Sequence, residues 1–298
     1  MTDKEQFEAL SYRRKNVYEV LTDAESSEMN TLCDEYRVFL DAGKTERECV
    51  RESIRLAESR GFRNMDTIDH LEPGDKVYKI NRGKNIFLAV IGTEDMTAGI
   101  NLVGAHIDSP RLDLKQNPLY ESNEMALLKT HYYGGIKKYQ WTTIPLSLHG
   151  VVYTTDGKKI ELNIGEAETD PVFCVTDLLP HLAQEQMMKK MTEGIPGENL
   201  NILIGGKPIA AKDVAEKVKF AILKHLNTKY GMTECDFQTA EIEAVPAFKA
   251  KNVGLDESFI GAYGQDDRVC AFTTLKAILD VENPKKTAAA ILVDKEEI

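Results

Sequence analysis

The chain has 298 residues, enough to bury a large core as one big domain or two ordinary ones. Hydrophobic residues make up 42% and charged residues 29%, a globular balance, and the net charge of -11 argues against a nucleic-acid surface, which needs a basic stripe. MTDKEQFEAL has no apolar signal-peptide core, no apolar run nears the roughly 20 residues that span a bilayer, and five scattered cysteines without a CxxC pair argue against a disulfide framework or thiolate zinc site.

A cytoplasmic chain with reduced thiols is therefore expected, and its N-terminal part reads as helical. In TERECVRESIRLAESRG, Thr45 is placed to cap a helix and Glu48 completes a capping box. Cys49, Val50, Ile54 and Ala57 form its apolar stripe, and Gly61 marks its end. After the EPGDK turn come KVYKI, NIFLAVIG and INLVGAHID; the last two are near-continuous apolar runs that fit strands covered on both faces. WTTIPLSLHGVVYTTDGKKIELNIG alternates around a Thr-Asp-Gly-Lys turn and predicts an antiparallel hairpin. VTDLLPHLAQEQMMKKM and DVAEKVKFAILKHLNTKYG predict helices, and the intervening MTEGIPGENLNILIGGKP predicts an exposed loop. AEIEAVPAF returns to strand, DDRVCAFTTLKAILD to helix and AAAILV to strand. The grammar is α/β, interrupted by a module of different pattern, which divides the chain into 1–114, an inserted 115–247 and 248–298.

Three short clusters at element ends can carry chemistry. His106 and Asp108 flank Ile107 after INLVGA, and residues two apart on a strand share a face. A metal-bound imidazole commonly donates its other ring proton to a carboxylate, although an HxD triplet alone more often marks a hydrogen-bonded histidine. Asp266 and Asp267 stand at a helix start, where a single N-cap explains one carboxylate and a cation would account for two. Glu296 and Glu297 follow AAAILV; at a chain end such residues usually face water, yet HID and KEE both follow strand-like runs, and ligands of open α/β sheets bind beyond carboxyl strand ends. One histidine with several carboxylates suits zinc, manganese or cobalt.

In order, GAHIDSPRLDLK, the YGG of THYYGGIKKYQW, LPHLA, the DD of YGQDDRVC and DKEE resemble the aspartyl-aminopeptidase (aminopeptidase I) family over nearly the whole chain. KTEREC and PGDKVYKINRGK are similar to its bacterial members. The resemblance implies a zinc-exopeptidase-like α/β fold, with a mixed sheet sandwiched by helices and an inserted β-rich oligomerisation domain. It also implies a homo-oligomeric binuclear metalloaminopeptidase acting on peptides with a free N-terminus, with two divalent ions, zinc first and manganese or cobalt as alternatives. Carried over by motif, His106 resembles a ligand of one metal and Asp108 its orienting carboxylate. Asp266 resembles the carboxylate bridging both metals, Glu297 a ligand of the second and Glu296 the general base. Asp267 is expected to be structural, and His181 resembles a histidine donated to a neighbouring protomer's site.

The family's catalytic domain continues beyond its EE motif with a later Asp and a C-terminal His, one further ligand for each metal; this sequence contains neither. As a complete polypeptide it is expected to bind metal weakly, expose apolar surface and have little peptidase activity. As a fragment of a longer product, the reading adopted, it keeps the family function. The alternatives are a non-catalytic assembly or binding protein of the same fold, and a metal phosphohydrolase without a phosphate clamp. Neither nucleic acid nor membrane is an expected partner.

Overall fold

The computed structural model describes residues 1–297. Helices α1 (Asp3–Leu10), α2 (Asp23–Ala42) and α3 (Glu46–Ser59) open the chain, each begun by a threonine capping box. In α3 the Glu48 carboxylate accepts the backbone N–H groups of Thr45 and Lys44, at 3.1 and 3.2 Å, satisfying donors that a helix start leaves free. Strands β1 (Arg63–Asn64), β2 (Lys76–Asn81), β3 (Asn85–Val90) and β4 (Asn101–His106) follow.

Next come β5 (Arg111–Ser122), β6 (Met125–Tyr133), β7 (Leu146–Tyr153), β8 (Lys159–Ile164) and β9 (Cys174–Val175). The one-turn helices α4 (Gln184–Met187) and α5 (Met191–Gly194) lead to β10 (Ile202–Gly205), α6 (Lys217–Tyr230) and β11 (Glu241–Pro246). A small hairpin of β12 (Lys251–Val253) and β13 (Phe259–Gly261) precedes α7 (Gln265–Leu279) and β14 (Ala288–Val293).

Among the described residues the strands form two main sheets. The first has the order β1-β2-β3-β14-β4, and the second β8-β7-β11-β5-β6-β10-β9, so the chain leaves the first sheet after β4 and re-enters it at β14. The mixed α/β class expected from the text is present. Residues of α2, α3 and α7 cover one face of the first sheet, where Phe39, Leu40, Phe272 and Leu275 meet Ile86, Leu88, Ala290 and Leu292. Each fully buried side chain of this size contributes about 1.5–3 kcal/mol. Met65, Ile68 and Leu71 pack on the other face against Val77, Ala89 and Ala289.

The predicted hairpin is β7–β8, with Tyr153 opposite Lys159. Three local expectations differ from what forms. INLVGA is a strand, but Leu102 and Val103 are each 55% exposed, because β4 pairs only with β14 and stands at the sheet edge. VTDLLPHLAQEQMMKKM is mostly irregular: Pro180 interrupts the backbone, and Leu178, Leu179, Leu182 and Met188 are exposed, so no apolar face is packed that would hold a helix together. The predicted loop contains β10, whose Ile202 is fully buried between β6 and β9, a short apolar run that its Gly- and Pro-rich flanks disguise.

Candidate metal centre

The pairing of β4 with β14 creates the site. These strands are parallel, with Val293 opposite His106, so HID and DKEE leave the sheet at the same carboxyl edge. The start of α7 arrives there too. Its first turn is broken at Asp266 and Asp267, whose backbone angles are non-helical and whose shared peptide bond is cis.

His106 is the hub. Its Nε2 lies 3.2 Å from Asp266 Oδ1 and 3.6 Å from Glu296 Oε2. On its other side, Nδ1 lies 3.1 Å from the Asp108 carbonyl oxygen and 3.4 Å from Asp108 Oδ1. Asp108 is completely buried and accepts hydrogen bonds from Tyr133 Oη (2.5 Å) and from the backbone N–H groups of Glu296 (3.3 Å) and Glu297 (3.1 Å). Ser109 Oγ donates to the Asp266 carbonyl at 2.9 Å. Asp108 thus anchors the turn that carries both glutamates.

Electrostatics divide these carboxylates. Burial favours the neutral form of Asp108, but the Tyr133 hydroxyl and the two backbone N–H donors outweigh it and hold the carboxyl below its ordinary range. Burial works against a charged His106, and the Asp108 carboxylate with Glu296 and Asp267 overrides it and raises its pKa. Glu297 is raised, first by burial and then by Asp266 and Glu296. Among the described residues no lysine or arginine pairs with Asp266, Glu296 or Glu297; the Lys295 ammonium lies over the Tyr133 ring and 3.5 Å from Asp294. An imidazole nitrogen and three carboxylates without a cation fit a divalent ion by donor chemistry.

Not every expected residue joins the cluster. Asp267, for which a structural role was expected, accepts the Cys270 N–H on its Oδ1 at 3.4 Å as a helix cap. His181 is exposed, on the irregular segment ahead of α4. Glu296, rather than Glu297, is the glutamate whose carboxylate approaches His106; Glu297 packs beneath Gly134, where an added Cβ would stand 3.0 Å from its Oε2. Among the described residues the one group of three or more His, Cys, Asp or Glu donors whose ligand atoms all lie within 4.8 Å of one another is elsewhere, on Glu46, Glu241 and Glu243, where Lys84, Arg47 and Arg111 already neutralise it; the donors around His106 stand further apart than that. Beside Asp266 opens a cleft of about 350 Å³, walled by Ser109–Pro110, Gly135–Lys137, Trp141 and Tyr263–Gln265.

The family profile described as Aminopeptidase I zinc metalloprotease (M18) matches residues 39–298. The chain belongs to the M18 aminopeptidase family. A Clostridium acetobutylicum relative, "Probable M18 family aminopeptidase 1", is 51% identical over 288 residues, which is 95% of this chain and 62% of the relative. The crystal structure of the Thermotoga maritima M18 aminopeptidase superposes with a TM-score of 0.91 at 47% identity, over 97% of this chain and 62% of that one. Aminopeptidase I from Borrelia burgdorferi B31 gives 0.86 at 43% identity, over 95% and 65%. The chain therefore spans less than two thirds of the length of these M18 relatives. Of the site residues, Tyr133 and Gly134 received no role from sequence reasoning, although the YGG motif that contains both was one of the family's marks.

Proposed function

We propose that this chain carries one wall of an M18 metalloaminopeptidase site, which removes N-terminal residues from peptides. The observation that carries the reading is the parallel register of β4 and β14, which delivers His106, Glu296 and Glu297 to one sheet edge, with Asp266 3.2 Å from the imidazole. In this reading His106, Asp266 and Glu297 hold two divalent ions, zinc by family, and Asp108 fixes the imidazole from behind. Bound metal would supply Lewis-acid polarisation of the scissile carbonyl and acidify a water. Glu296, whose side chain is 61% exposed, is the group free to accept that water's proton and return it to the leaving amine. The cleft beside Asp266 receives the N-terminal residue of the substrate.

In this proposal the segments 1–114 and 248–298 form the catalytic unit and the inserted 115–247 module makes oligomer contacts; β5 enters the second sheet at Arg111, so the first residues of that sheet lie just ahead of the boundary. Exposed Leu178, Leu179, Leu182, Met188 and Met191 support that assignment, since apolar residues grouped along one surface segment mark an interaction site. His181 lies within that segment and would meet a neighbouring protomer's site. A cytoplasmic enzyme is proposed as well; among the described residues no helix is long and apolar enough to cross a membrane.

The test measures zinc content and hydrolysis of an aminoacyl substrate panel, for this chain and for a version completed with the unmatched remainder of the Clostridium relative. Glu296→Gln should retain metal and lose at least about 100-fold in kcat, the scale of a missing general base. His106→Ala should lose metal. Full hydrolytic activity in Glu296→Gln would refute the base assignment, and a metal-free, inactive completed enzyme would refute the whole reading.

A further inference from the structure

The YGG motif lies on the second sheet, yet it reaches the first sheet's site. Tyr133 ends β6. Its hydroxyl donates to Asp108 Oδ2 at 2.5 Å. Two cations lie against its ring, the Arg111 guanidinium 4.1 Å from the centroid and the Lys295 ammonium at 4.8 Å. Arg111 is buried, and its Nε lies 2.7 Å from Asp113 and 3.3 Å from Glu243, so this side of the clamp is anchored in the second sheet. Lys295 belongs to the turn that presents Glu296 and Glu297. Gly134, at φ +74, lets the backbone pass against that turn; a Cβ there would stand 3.0 Å from Glu297 Oε2 and 3.2 Å from the Glu297 carbonyl oxygen.

We propose that Tyr133 is a positioning residue of the metal centre: from the second sheet it fixes Asp108, and through Asp108 it fixes both the His106 imidazole and the turn bearing the two glutamates. This rests on the metal-site reading above. Asp108 is fully buried, so a carboxylate oxygen that loses the tyrosine donor has no water to replace it. Outer partners of a ligating histidine typically change metal affinity 10–100-fold when removed. The hydroxyl is one step further out, and about tenfold is expected.

The test titrates Co²⁺ into the protein completed with the unmatched remainder of the Clostridium relative, and follows affinity by calorimetry and ligand geometry by the visible absorption of the bound ion. Tyr133→Phe should bind Co²⁺ about tenfold more weakly, with an altered spectrum and a lowered unfolding midpoint, since the buried carboxylate loses a donor. In an Asp108→Asn background the same substitution should change affinity less than about twofold, because residues acting through one another are non-additive. A merely structural tyrosine would give the same loss in both backgrounds, and that result would overturn the proposal. Gly134→Ala tests the clamp at its other contact and should also weaken Co²⁺ binding. Gly135→Ala, where a Cβ meets nothing within 4 Å, should not. Wild-type protein that takes up no Co²⁺ would overturn the metal-site reading and this inference with it. Wild-type uptake with an indistinguishable Tyr133→Phe would overturn this inference alone.

Discussion

At the residue scale, Arg268 connects the start of α7 to the strand end that carries the histidine. It is 1% exposed, and its Nη2 donates to the carbonyls of Lys44 (2.9 Å) and Ile107 (3.3 Å). The guanidinium also lies 5.2 Å from the Tyr263 ring centroid. Gly264 makes room for it: with φ at +78, a Cβ would overlap the guanidinium and stand 2.7 Å from Cζ. Because two carbonyls hold Arg268 in place, it cannot swing aside cheaply. Gly264→Ala should therefore destabilise the fold by about 1–3 kcal/mol, from the left-handed backbone and the collision together. Urea denaturation read by circular dichroism measures this, and a midpoint within error of wild type would refute it. Neither residue could be singled out in the text YGQDDRVC. An arginine after two aspartates reads as a surface ion pair, and only the folded chain shows it buried under a tyrosine.

At the element scale, α3 is both a helix of the first sheet and a plug in the second. Its capping box, its apolar stripe and its end at Gly61 were legible, since each depends on residues three or four apart. The burial of Glu46 and Glu48 was not, because their partners Lys84, Arg111 and His149 come from segments well beyond the helix's own turns. His149 of β7 is buried with Nδ1 2.8 Å from Glu48 Oε1 and Nε2 3.3 Å from Glu166 Oε1. Around that trio stand Arg51 near Glu48, Lys44 and Lys249 on Glu166, and the polar Ser147 and Asn163. Burial opposes a charged His149, but hydrogen bonds and attraction from Glu166 and Glu48 raise its pKa above the ordinary 6.5. A raised base stabilises the fold fully below its unfolded value and loses that contribution as pH climbs through the folded one. Glu48 and Glu166 run the other way: despite burial, His149 and neighbouring cations hold both below the ordinary 4.5, and their contribution is lost as acid protonates them. The network is thus strongest between about pH 4.5 and 6.5 and weakens on both sides. His149→Gln keeps hydrogen-bonding capacity without the titration, so its stability should fall less between pH 6 and 9 than the wild type's. Equal slopes in chemical denaturation across that range would refute the assignment.

At the scale of the whole molecule, the first sheet ends on an apolar strand. Unpaired strand edges template pairing with another chain, and proteins usually cover, shorten or charge them. Here β4 offers Leu102 and Val103 to water, flanked by Ile100 (44% exposed) and, on α7, Val269 (45%). More than a third of the Clostridium relative's length lies outside its match to this chain. A segment of that remainder paired with β4 would cover this edge. The near-continuous apolar run INLVGA was read as a strand, and a strand forms, but the cover expected on both its faces does not, because what packs on a strand is long-range and no local pattern encodes it. Two consequences follow from one cause. Alone, the chain should self-associate as concentration rises, and Val103→Lys should suppress this in sedimentation velocity without lowering the unfolding midpoint, since an exposed side chain holds no core together. In the completed version, the β4 amides should gain hydrogen-exchange protection, and Val103→Lys should become destabilising because the edge is then an interior. A Val103→Lys effect that is equally small in both forms would mean that the remainder of the family fold packs elsewhere.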